Sequence, residues 1–235
     1  EGDKIPFIIH PHGGPNARDY WGFNPEVQFY ATRGYGVIQM DYRGSTGYGR
    51  KEMILANHQM GKKMQEDKYD ALMWANEQGY VDMDNVCISG ASYGGYAAMQ
   101  AATKNPELFK CIIAYVGVYD LTSMDLRGLR WSDLGMPMEY IEKGDPRNPD
   151  DYENLYENSP LFFAENVEDP VLIITGRRDN QVRFQETVDM VNELKKYNKD
   201  HKYIIKGDEG HGFRNETANL ELYEDYEEFL AEHLN

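Results

Sequence analysis

Long apolar runs and cysteine are both scarce in this sequence, and each scarcity excludes a class of protein. No stretch of about eighteen consecutive apolar residues occurs, so the sequence predicts no membrane-spanning helix. The first four residues, EGDK, do not have the composition of a secretory signal peptide. The two cysteines, Cys87 and Cys111, each lie in an apolar stretch, which predicts buried thiols and no disulfide framework. The compartment stays open between cytoplasm and periplasm for a protein expected to be soluble.

Basic residues are also in the minority. The chain has 24 lysines and arginines against 40 acidic residues, which gives a formal net charge of -16. Nucleic acids and anionic membranes are bound through a basic face, so neither is an expected partner. The 235 residues, 41% of them hydrophobic, are enough to bury one sizeable core, and we predict a single domain over residues 1–235.

Short apolar runs alternate along the chain with longer stretches of helical periodicity. Near-continuous apolar runs are typical of parallel strands, because helices cover both faces of such a sheet. The predicted strands are residues 5–9, 36–40, 86–89, 111–116, 171–175 and 203–205. The predicted helices are residues 67–78, 96–104, 184–196 and 218–234. This alternation predicts an α/β fold with a doubly wound, mostly parallel sheet and helices on both faces.

Residues 121–164 break this rhythm, with prolines at positions 137, 146, 149 and 160 among several acidic and aromatic residues. Proline-punctuated sequence of this kind favours short helices and loops. We interpret the segment as lying over the edge of the sheet. It is either a cap near a functional site or a long connection.

Residues 90–94 read Gly-Ala-Ser-Tyr-Gly and fit the pattern G-x-S-x-G. They lie between a predicted strand and a predicted helix, which is the context of the nucleophile elbow of an α/β-hydrolase. The serine of such an elbow sits on a strained turn, and the flanking glycines let that turn close tightly. We therefore predict that Ser92 is a nucleophile. The alternative is an incidental serine in a glycine-rich turn.

A serine hydroxyl needs a base to take its proton, and in this fold the base follows the acid in chain order. His201, His211 and His233 are the candidates. His211 is favoured, because it lies in a glycine-flanked loop at the carboxyl end of the last predicted strand. His201 precedes that strand, and His233 lies near the end of the last helix.

The acid is expected directly after the strand that precedes the histidine's strand. Asp179 follows the run 171–175 in that position and is placed to orient the imidazole. Asp120, which follows the strand 111–116, is the competitor. Asp208 lies close to His211 in sequence and is interpreted as a solvated loop acid.

An oxyanion hole needs two donors aimed at the charge that develops in the reaction. The backbone N–H of Tyr93, which follows the nucleophile, is one candidate. The first strand runs into His10-Pro11-His12-Gly13-Gly14-Pro15, whose glycines allow close approach of the backbone, and Gly14 is the second candidate. We expect His12 to shape this loop without transferring protons. No third ligand has suitable spacing from His10 and His12, so no metal is predicted, and no cofactor either.

Several motifs together resemble the prolyl oligopeptidase family of serine peptidases, especially its acylaminoacyl peptidase and dipeptidyl peptidase branch. The matching pieces, in chain order, are residues 12–15 (HGGP), 41–49 (DYRGSTGYG) and 90–96 (GASYGGY), Gly176 with Asp179 and Val182, and residues 210–213 (GHGF). They span nearly the whole chain. The combination of the second and third pieces is specific, because general esterases and lipases rarely carry both.

The resemblance implies that Ser92, Asp179 and His211 form the catalytic triad of a serine peptidase. It implies Gly14 and Tyr93 as oxyanion donors. It also implies short peptides as substrates of a single α/β-hydrolase catalytic domain.

A substrate pocket follows from the same resemblance. Tyr93, Val116, Tyr119 and Val182 are implied to line the pocket for the residue before the scissile bond. These side chains are mostly apolar, so we expect an apolar or small residue there. One departure is Arg183, which stands where the family usually has proline after this valine.

The family also carries an N-terminal β-propeller that screens substrates by size, and this chain has none. We therefore expect a C-terminal fragment of a longer peptidase, with an uncovered active-site face and an exposed sheet edge that favour self-association. A carboxylesterase with the same triad is the alternative function, and a non-catalytic domain on this fold is a third. Whether a peptidase of this kind acts internally, on dipeptides or on blocked residues stays open.

Overall fold

The computed structural model describes residues 4–123 and 143–234. Its strands are β1 (Ile5–Ile9), β2 (Gly36–Ile38), β3 (Val81–Ala91), β4 (Cys111–Tyr115), β5 (Val171–Gly176) and β6 (His201–Lys206). They form a six-stranded sheet in the order β2-β1-β3-β4-β5-β6, and every neighbouring pair is parallel. The predicted parallel sheet is confirmed.

Seven α-helices lie in the described residues. They are α1 (Pro25–Thr32), α2 (Arg50–Ile54), α3 (Lys63–Glu77), α4 (Tyr93–Lys104), α5 (Pro149–Glu157), α6 (Phe184–Lys196) and α7 (Glu216–His233). Two 3-10 helices, Pro106–Leu108 and Pro160–Asn166, complete the described elements.

Alternate strand residues supply two hydrophobic clusters, one on each face of the sheet. On one face, Phe7 and Ile9 of β1 belong to the same cluster as residues of α3, α4 and α6. On the other face, Ile8 lies in a cluster with residues of α1 and α7. Because successive side chains of a strand point to opposite faces, a strand buried on both sides is apolar throughout. This is why the apolar runs predicted the strands.

The order of the strands creates a switch point between β1 and β3. The chain leaves β1 to form β2 on one side and then returns to form β3 on the other. In open α/β sheets, ligands bind in the crevice beyond the carboxyl ends of the strands at such a point. The glycine-rich loop after β1 and the turn after β3 meet there.

Element boundaries differ from the prediction where polar or glycine residues obscure the pattern. β3 begins at Val81, five residues before the predicted start, because the polar residues that follow Val81 interrupt its apolar run. β2 ends at Ile38, two residues before the predicted end. The carbonyl of Ile38 accepts a hydrogen bond from the N–H of His10, which follows β1. α4 begins at Tyr93, three residues early, because Gly94 and Gly95 lie within its first turn.

Two helices whose bounds were not predicted, α1 and α5, carry recognisable start signals. The side chain of Asn24 accepts from the backbone at the start of α1, and proline occupies the first turn. Asn148 caps α5 in the same way, again before a proline. Asparagine followed by proline is a favourable N-terminus for a helix. The segment 121–164 thus contains short helices as predicted; its residues 124–142 lie outside the described residues.

The cysteines are buried free thiols, as predicted. Cys87 of β3 and Cys111 of β4 stand opposite each other in the sheet. Within the described residues, no helix has the length and apolar character needed to cross a membrane.

Candidate active site

Ser92 occupies a turn that ordinary residues avoid. It lies between the end of β3 and the start of α4, with φ 58° and ψ −117°. A positive φ costs a residue with a side chain free energy, and it persists only where the surroundings impose it. The N–H of Ser92 donates to the carbonyl of Tyr115 at the end of β4, 2.9 Å away. The turn is therefore held by the neighbouring strand.

The glycines around Ser92 are required by close contacts. A Cβ at Gly90 would lie 2.7 Å from the carbonyl of Gly94, and one at Gly94 would lie 2.3 Å from the carbonyl oxygen of Pro11. A Cβ at Gly95 would lie 2.7 Å from the carbonyl oxygen of Tyr115. Any side chain at these positions would push the turn away from β4 or from the loop after β1. The G-x-S-x-G pattern is thus a packing requirement of this turn.

His211 and Asp179 are hydrogen-bonded to each other. His211 Nδ1 and Asp179 Oδ2 are 2.8 Å apart, and the carboxylate of Asp179 has no exposed surface. The other oxygen of Asp179 accepts from the N–H groups of Gln181 and Val182, each at 2.8 Å. These bonds fix the carboxylate, which in turn fixes the ring so that Nε2 points away from it.

The loop that carries His211 is held by a buried carboxylate. Glu209 accepts from the N–H of Arg214 at 2.8 Å and from that of Asn215 at 3.1 Å. The phenol of Tyr115 accepts from the N–H of Phe213 at 2.5 Å. Glu209 is 7% exposed. These hydrogen bonds hold the backbone of the loop in place, and none of them involves the side chain of His211.

The two other candidate bases lie far from this arrangement. His201 is the first residue of β6, at the amino end of the sheet, where it pairs with Val171. His233 ends α7, and its ring packs on Phe229 with the centroids 4.6 Å apart.

The two competing acids are engaged elsewhere. Asp120 accepts from the N–H groups of Thr122 and Ser123 and so closes its own turn. Asp208 forms an exposed ion pair with Arg178. Of the three acids, Asp179 is the one that the structure brings to a histidine.

Ser92 and His211 are not hydrogen-bonded to each other anywhere in the described part of the chain. Ser92 follows β3, and His211 follows β6, so both lie beyond carboxyl ends of strands in one parallel sheet. Catalytic hydrogen bonds are often long in the absence of substrate and tighten when it binds.

The loop after β1 packs directly against the elbow. A Cβ at Gly13 would lie 3.1 Å from the carbonyl oxygen of Ala91 and 3.4 Å from Cβ of Ser92. Gly14 follows with φ 132°, a conformation that favours glycine. Gly14 and Tyr93 are the predicted oxyanion donors, and each lies one residue from this point of contact.

His12 is built into the loop. Its Nε2 lies 2.9 Å from the hydroxyl of Ser45, and its Nδ1 lies 2.7 Å from the carbonyl oxygen of Gly13. Its ring stacks on that of Tyr42, whose hydroxyl donates to the His12 carbonyl at 2.9 Å. Burial lowers the pKa of His12, partly offset by the carbonyl of Gly13 and by Asp19 and Asp41. These contacts match a role in loop shape.

Besides Tyr93, the three predicted pocket residues lie in three different hydrophobic clusters. Val182 shares a cluster with Tyr93. Val116 belongs to the cluster on the α1 and α7 face, and Tyr119 to the cluster on the opposite face. All three are at least 95% buried. Val182 shares its cluster with the residue that follows Ser92, and a Cβ at Gly95 of the elbow helix would lie within 3 Å of backbone atoms of Tyr115 and Gly117, the neighbours of Val116.

Two buried charged residues near the site were missed by the sequence analysis. One is Glu209, described above. The other is Lys68 of α3, whose side chain is fully buried and whose ammonium lies over the rings of Tyr42 and Tyr93. Neither belongs to a motif in the sequence analysis. The only signal for Glu209 is its place two residues before His211.

Curated relatives match nearly all of this chain. It is 35% identical over 227 residues to dipeptidyl peptidase family member 6 of Caenorhabditis elegans, a match that covers 96% of this chain and 30% of the relative. It is 36% identical over 231 residues to dipeptidyl aminopeptidase BIII of Pseudoxanthomonas mexicana, covering 97% of this chain and 33% of the relative. The chain therefore spans about a third of the length of these relatives.

Solved structures show the same fold. A puromycin-hydrolyzing peptidase of Mycobacterium tuberculosis superposes with a TM-score of 0.91 at 28% identity, covering all of this chain and 35% of the other. An acylaminoacyl peptidase in complex with Z-Gly-Gly-Phe-chloromethyl ketone gives 0.87 at 28% identity, covering all of this chain and 38% of the other. The prolyl oligopeptidase family matches residues 21–235. The chain, with the α/β-hydrolase architecture of these enzymes, thus belongs to the prolyl oligopeptidase family of serine peptidases.

Proposed function

We propose that this chain is the catalytic domain of a serine peptidase that hydrolyses short peptides through an acyl-enzyme on Ser92. Asp179 and His211 complete the triad, and the N–H groups of Gly14 and Tyr93 receive the oxyanion. The observation that carries the proposal is the hydrogen bond between His211 and the buried Asp179 carboxylate, at the same end of the sheet as a serine with positive φ.

The reaction proceeds in two steps, acylation of Ser92 and hydrolysis of the acyl-enzyme. Ser92 Oγ attacks the carbonyl carbon while Nε2 of His211 takes its proton, and the carbonyl oxygen becomes an oxyanion. The oxyanion collapses, the carbon–nitrogen bond breaks, and His211 returns the proton to the leaving amine. Water then attacks the acyl-enzyme by the same route, which releases the carboxylate product and restores the hydroxyl of Ser92.

Asp179 supports both steps without itself gaining a proton. Its carboxylate stabilises the imidazolium that forms when His211 takes the proton. Because Gln181 and Val182 donate to it from the backbone, the carboxylate does not have to reorganise as that charge appears.

The substrate class follows from the family and from the local surface. Two relatives are named as dipeptidyl peptidases, and one solved neighbour is in complex with a peptide chloromethyl ketone. We propose an apolar or small residue before the scissile bond, in a pocket lined by Val116, Tyr119 and Val182. Val182 supports this by packing in one cluster with Tyr93. The length of the relatives supports a further proposal, a size-screening β-propeller in the complete protein.

Covalent labelling tests the nucleophile. A fluorophosphonate probe should label the wild-type chain with loss of fluoride, and peptide mapping should locate the adduct on Ser92. The Ser92→Ala variant should not be labelled, whereas Ser123→Ala, a serine of a neighbouring loop, should label like wild type. Labelling at any other serine would contradict the proposal.

Turnover of matched substrates separates a peptidase from a carboxylesterase. A dipeptide anilide and the nitrophenyl ester of the same dipeptide differ mainly in the bond that is broken. A peptidase should hydrolyse both, and the chloromethyl ketone peptide should inactivate it. Ester turnover with no measurable amide turnover, in this chain and in a longer one that includes upstream sequence, would favour the esterase.

A further inference from the structure

We propose that Lys68 is a positioning residue for the oxyanion site, and this inference rests on the function proposed above. Its buried ammonium holds two tyrosine rings, and these rings hold the two backbone segments that carry the oxyanion donors. Lys68 lies on α3 and touches neither the substrate nor the reacting atoms.

The burial of Lys68 is unusual for its chemistry. Lysine is almost never fully buried unless an opposite charge pairs with it. Lys68 has no exposed surface, and its Nζ donates to the carbonyl of Met64 in the same helix at 2.5 Å. No carboxylate in residues 4–123 or 143–234 lies within ion-pair distance of this nitrogen. The cost of burying the charge is therefore met largely by neutral partners.

Those partners are aromatic faces. Nζ lies 4.1 Å from the ring centroid of Tyr42 and 5.3 Å from that of Tyr93. The two ring centroids are 5.2 Å apart. An ammonium over an aromatic face is attracted by the quadrupole of the ring, and the attraction grows when water is excluded. One cation therefore binds two rings at once.

Each ring leads to one half of the oxyanion site. Tyr42 stacks on His12, and its hydroxyl donates to the His12 carbonyl, directly before Gly13 and Gly14. Tyr93 follows Ser92, and its own N–H is the other proposed donor. Lys68 thus fixes the spacing between the loop after β1 and the elbow. Oxyanion donors act through their pre-set position, so a small shift of either segment lowers the rate.

The charged groups near Lys68 are engaged with other partners, so the two tyrosine rings are its main stabilising contacts. Asp67 of the same helix is engaged by Arg43, which donates to it from the backbone and the guanidinium. His12, whose ring stacks on Tyr42, lies 3.6 Å from Asp41, and the charge of Lys68 acts to lower the pKa of His12. From α4 the packed groups are aromatic. Burial lowers the pKa of Lys68 to about 7, with Asp67 acting in the opposite direction.

The role of the charge on Lys68 can be tested by replacing the residue with methionine, an uncharged side chain of similar length. At pH 6.5, where wild-type Lys68 is mostly charged, Lys68→Met should lower kcat for a nitrophenyl ester about tenfold and leave KM unchanged, since the oxyanion forms only after binding. The matched control is Lys63→Met, the same substitution at an exposed position of the same helix. The pH profile adds a readout that packing alone would not move. Wild-type kcat should fall as pH rises through about 7, the pKa of the buried Lys68 ammonium. This fall should be absent in Lys68→Met.

The outcomes separate this inference from the proposed function. If the wild-type chain is not labelled by a fluorophosphonate, the proposed function fails. If wild type and both methionine variants are labelled and turn over the ester at equal rates, only the role of Lys68 fails. An increase in KM at constant kcat would also overturn it. Should Lys68→Met not fold, the wild-type profile still decides, because kcat that stays flat from pH 6.5 to 9 contradicts the inference.

Discussion

The two sides of the candidate active site are held in place by different chemistry. On the acid–base side, Asp179 accepts from backbone N–H groups of its own loop, and Glu209 accepts from N–H groups of the loop that carries His211. On the oxyanion side, the rings of Tyr42 and Tyr93 pack around the ammonium of Lys68. Carboxylate bonds to the backbone fix direction as well as distance, whereas ring contacts tolerate small displacements.

This difference predicts which substitutions should lower the activity most. Loss of a carboxylate on the acid–base side removes the acceptor of two backbone N–H groups and loosens the loop that they belong to. Loss of the charge on the oxyanion side leaves the rings packed. We therefore expect larger effects around His211 than around Lys68, with the reacting residues above both.

The largest effect is expected at the nucleophile and the base. Ser92→Ala and His211→Ala should each lower kcat by roughly 10⁴- to 10⁶-fold, leaving what binding and the oxyanion site supply. The double variant should be little slower than either single one, because the two residues act as a unit. Steady-state kinetics on one ester substrate measures all three, and clearly additive losses would show that they do not act together.

The next effect is expected at the acid. Asp179→Asn should lower kcat by roughly 10³- to 10⁴-fold with little loss of stability, because asparagine still accepts from Gln181 and Val182 but presents an amide to His211. The control is Asp120→Asn, which can close the same turn with an asparagine and should be mild. Kinetics and thermal unfolding of both variants test this. A more harmful Asp120→Asn would mean that Asp179 is not the acid.

A smaller effect is expected where a carboxylate shapes the loop of the base. Glu209→Ala leaves the N–H groups of Arg214 and Asn215 unpaired, and a displaced His211 should lower kcat by roughly 10- to 100-fold. Glu209→Gln keeps one acceptor and should recover part of that loss. Asp208→Ala, an exposed neighbour, serves as the control. Equal activity of Glu209→Ala and wild type would show that the loop does not need this carboxylate.

The sequence predicted the strands because both faces of the sheet are buried, so each strand is nearly all apolar. It failed at the start of β3, where polar residues follow Val81, and at the start of α4, where Gly94 and Gly95 resemble a turn. The glycines sit inside the helix because the carbonyls of Pro11 and Tyr115 approach it closely. Such contacts join residues distant in sequence, and no local pattern contains them.

The candidate site divides in the same way. Ser92, Asp179 and His211 were proposed from motifs and from their order along the chain, and the structure pairs the last two. The supporting residues could not be proposed in this manner. Lys68 reads as an ordinary helix lysine, since its burial depends on the packing of Tyr42 and Tyr93 from other elements. The local sequence therefore predicts which residues react, but it does not predict which residues from other elements pack around them.

The smallest expected effect on rate is that of Lys68→Met. This substitution should lower kcat and, at low pH, raise the stability of the fold. Burial holds the pKa of Lys68 near 7, below the ordinary 10.5, so between these values the unfolded chain binds more protons than the folded one. The penalty for burying the charge is therefore complete below pH 7 and is relieved as pH rises toward 10.

Lys68→Met removes that penalty and should stabilise the chain by on the order of a few kcal/mol at pH 6. The gain over wild type should shrink as pH approaches 10, where the buried amine of the folded wild-type chain is already neutral and only the unfolded chain still holds the proton. Denaturant unfolding of wild type, Lys68→Met and Lys63→Met at pH 6 and pH 9.5 measures this. A variant that is more stable and slower at pH 6 would show that the lysine is kept for its charge at the expense of the fold. A variant less stable than wild type at pH 6 would instead mean that Lys68 contributes through packing, and that the oxyanion side is as rigidly built as the acid–base side.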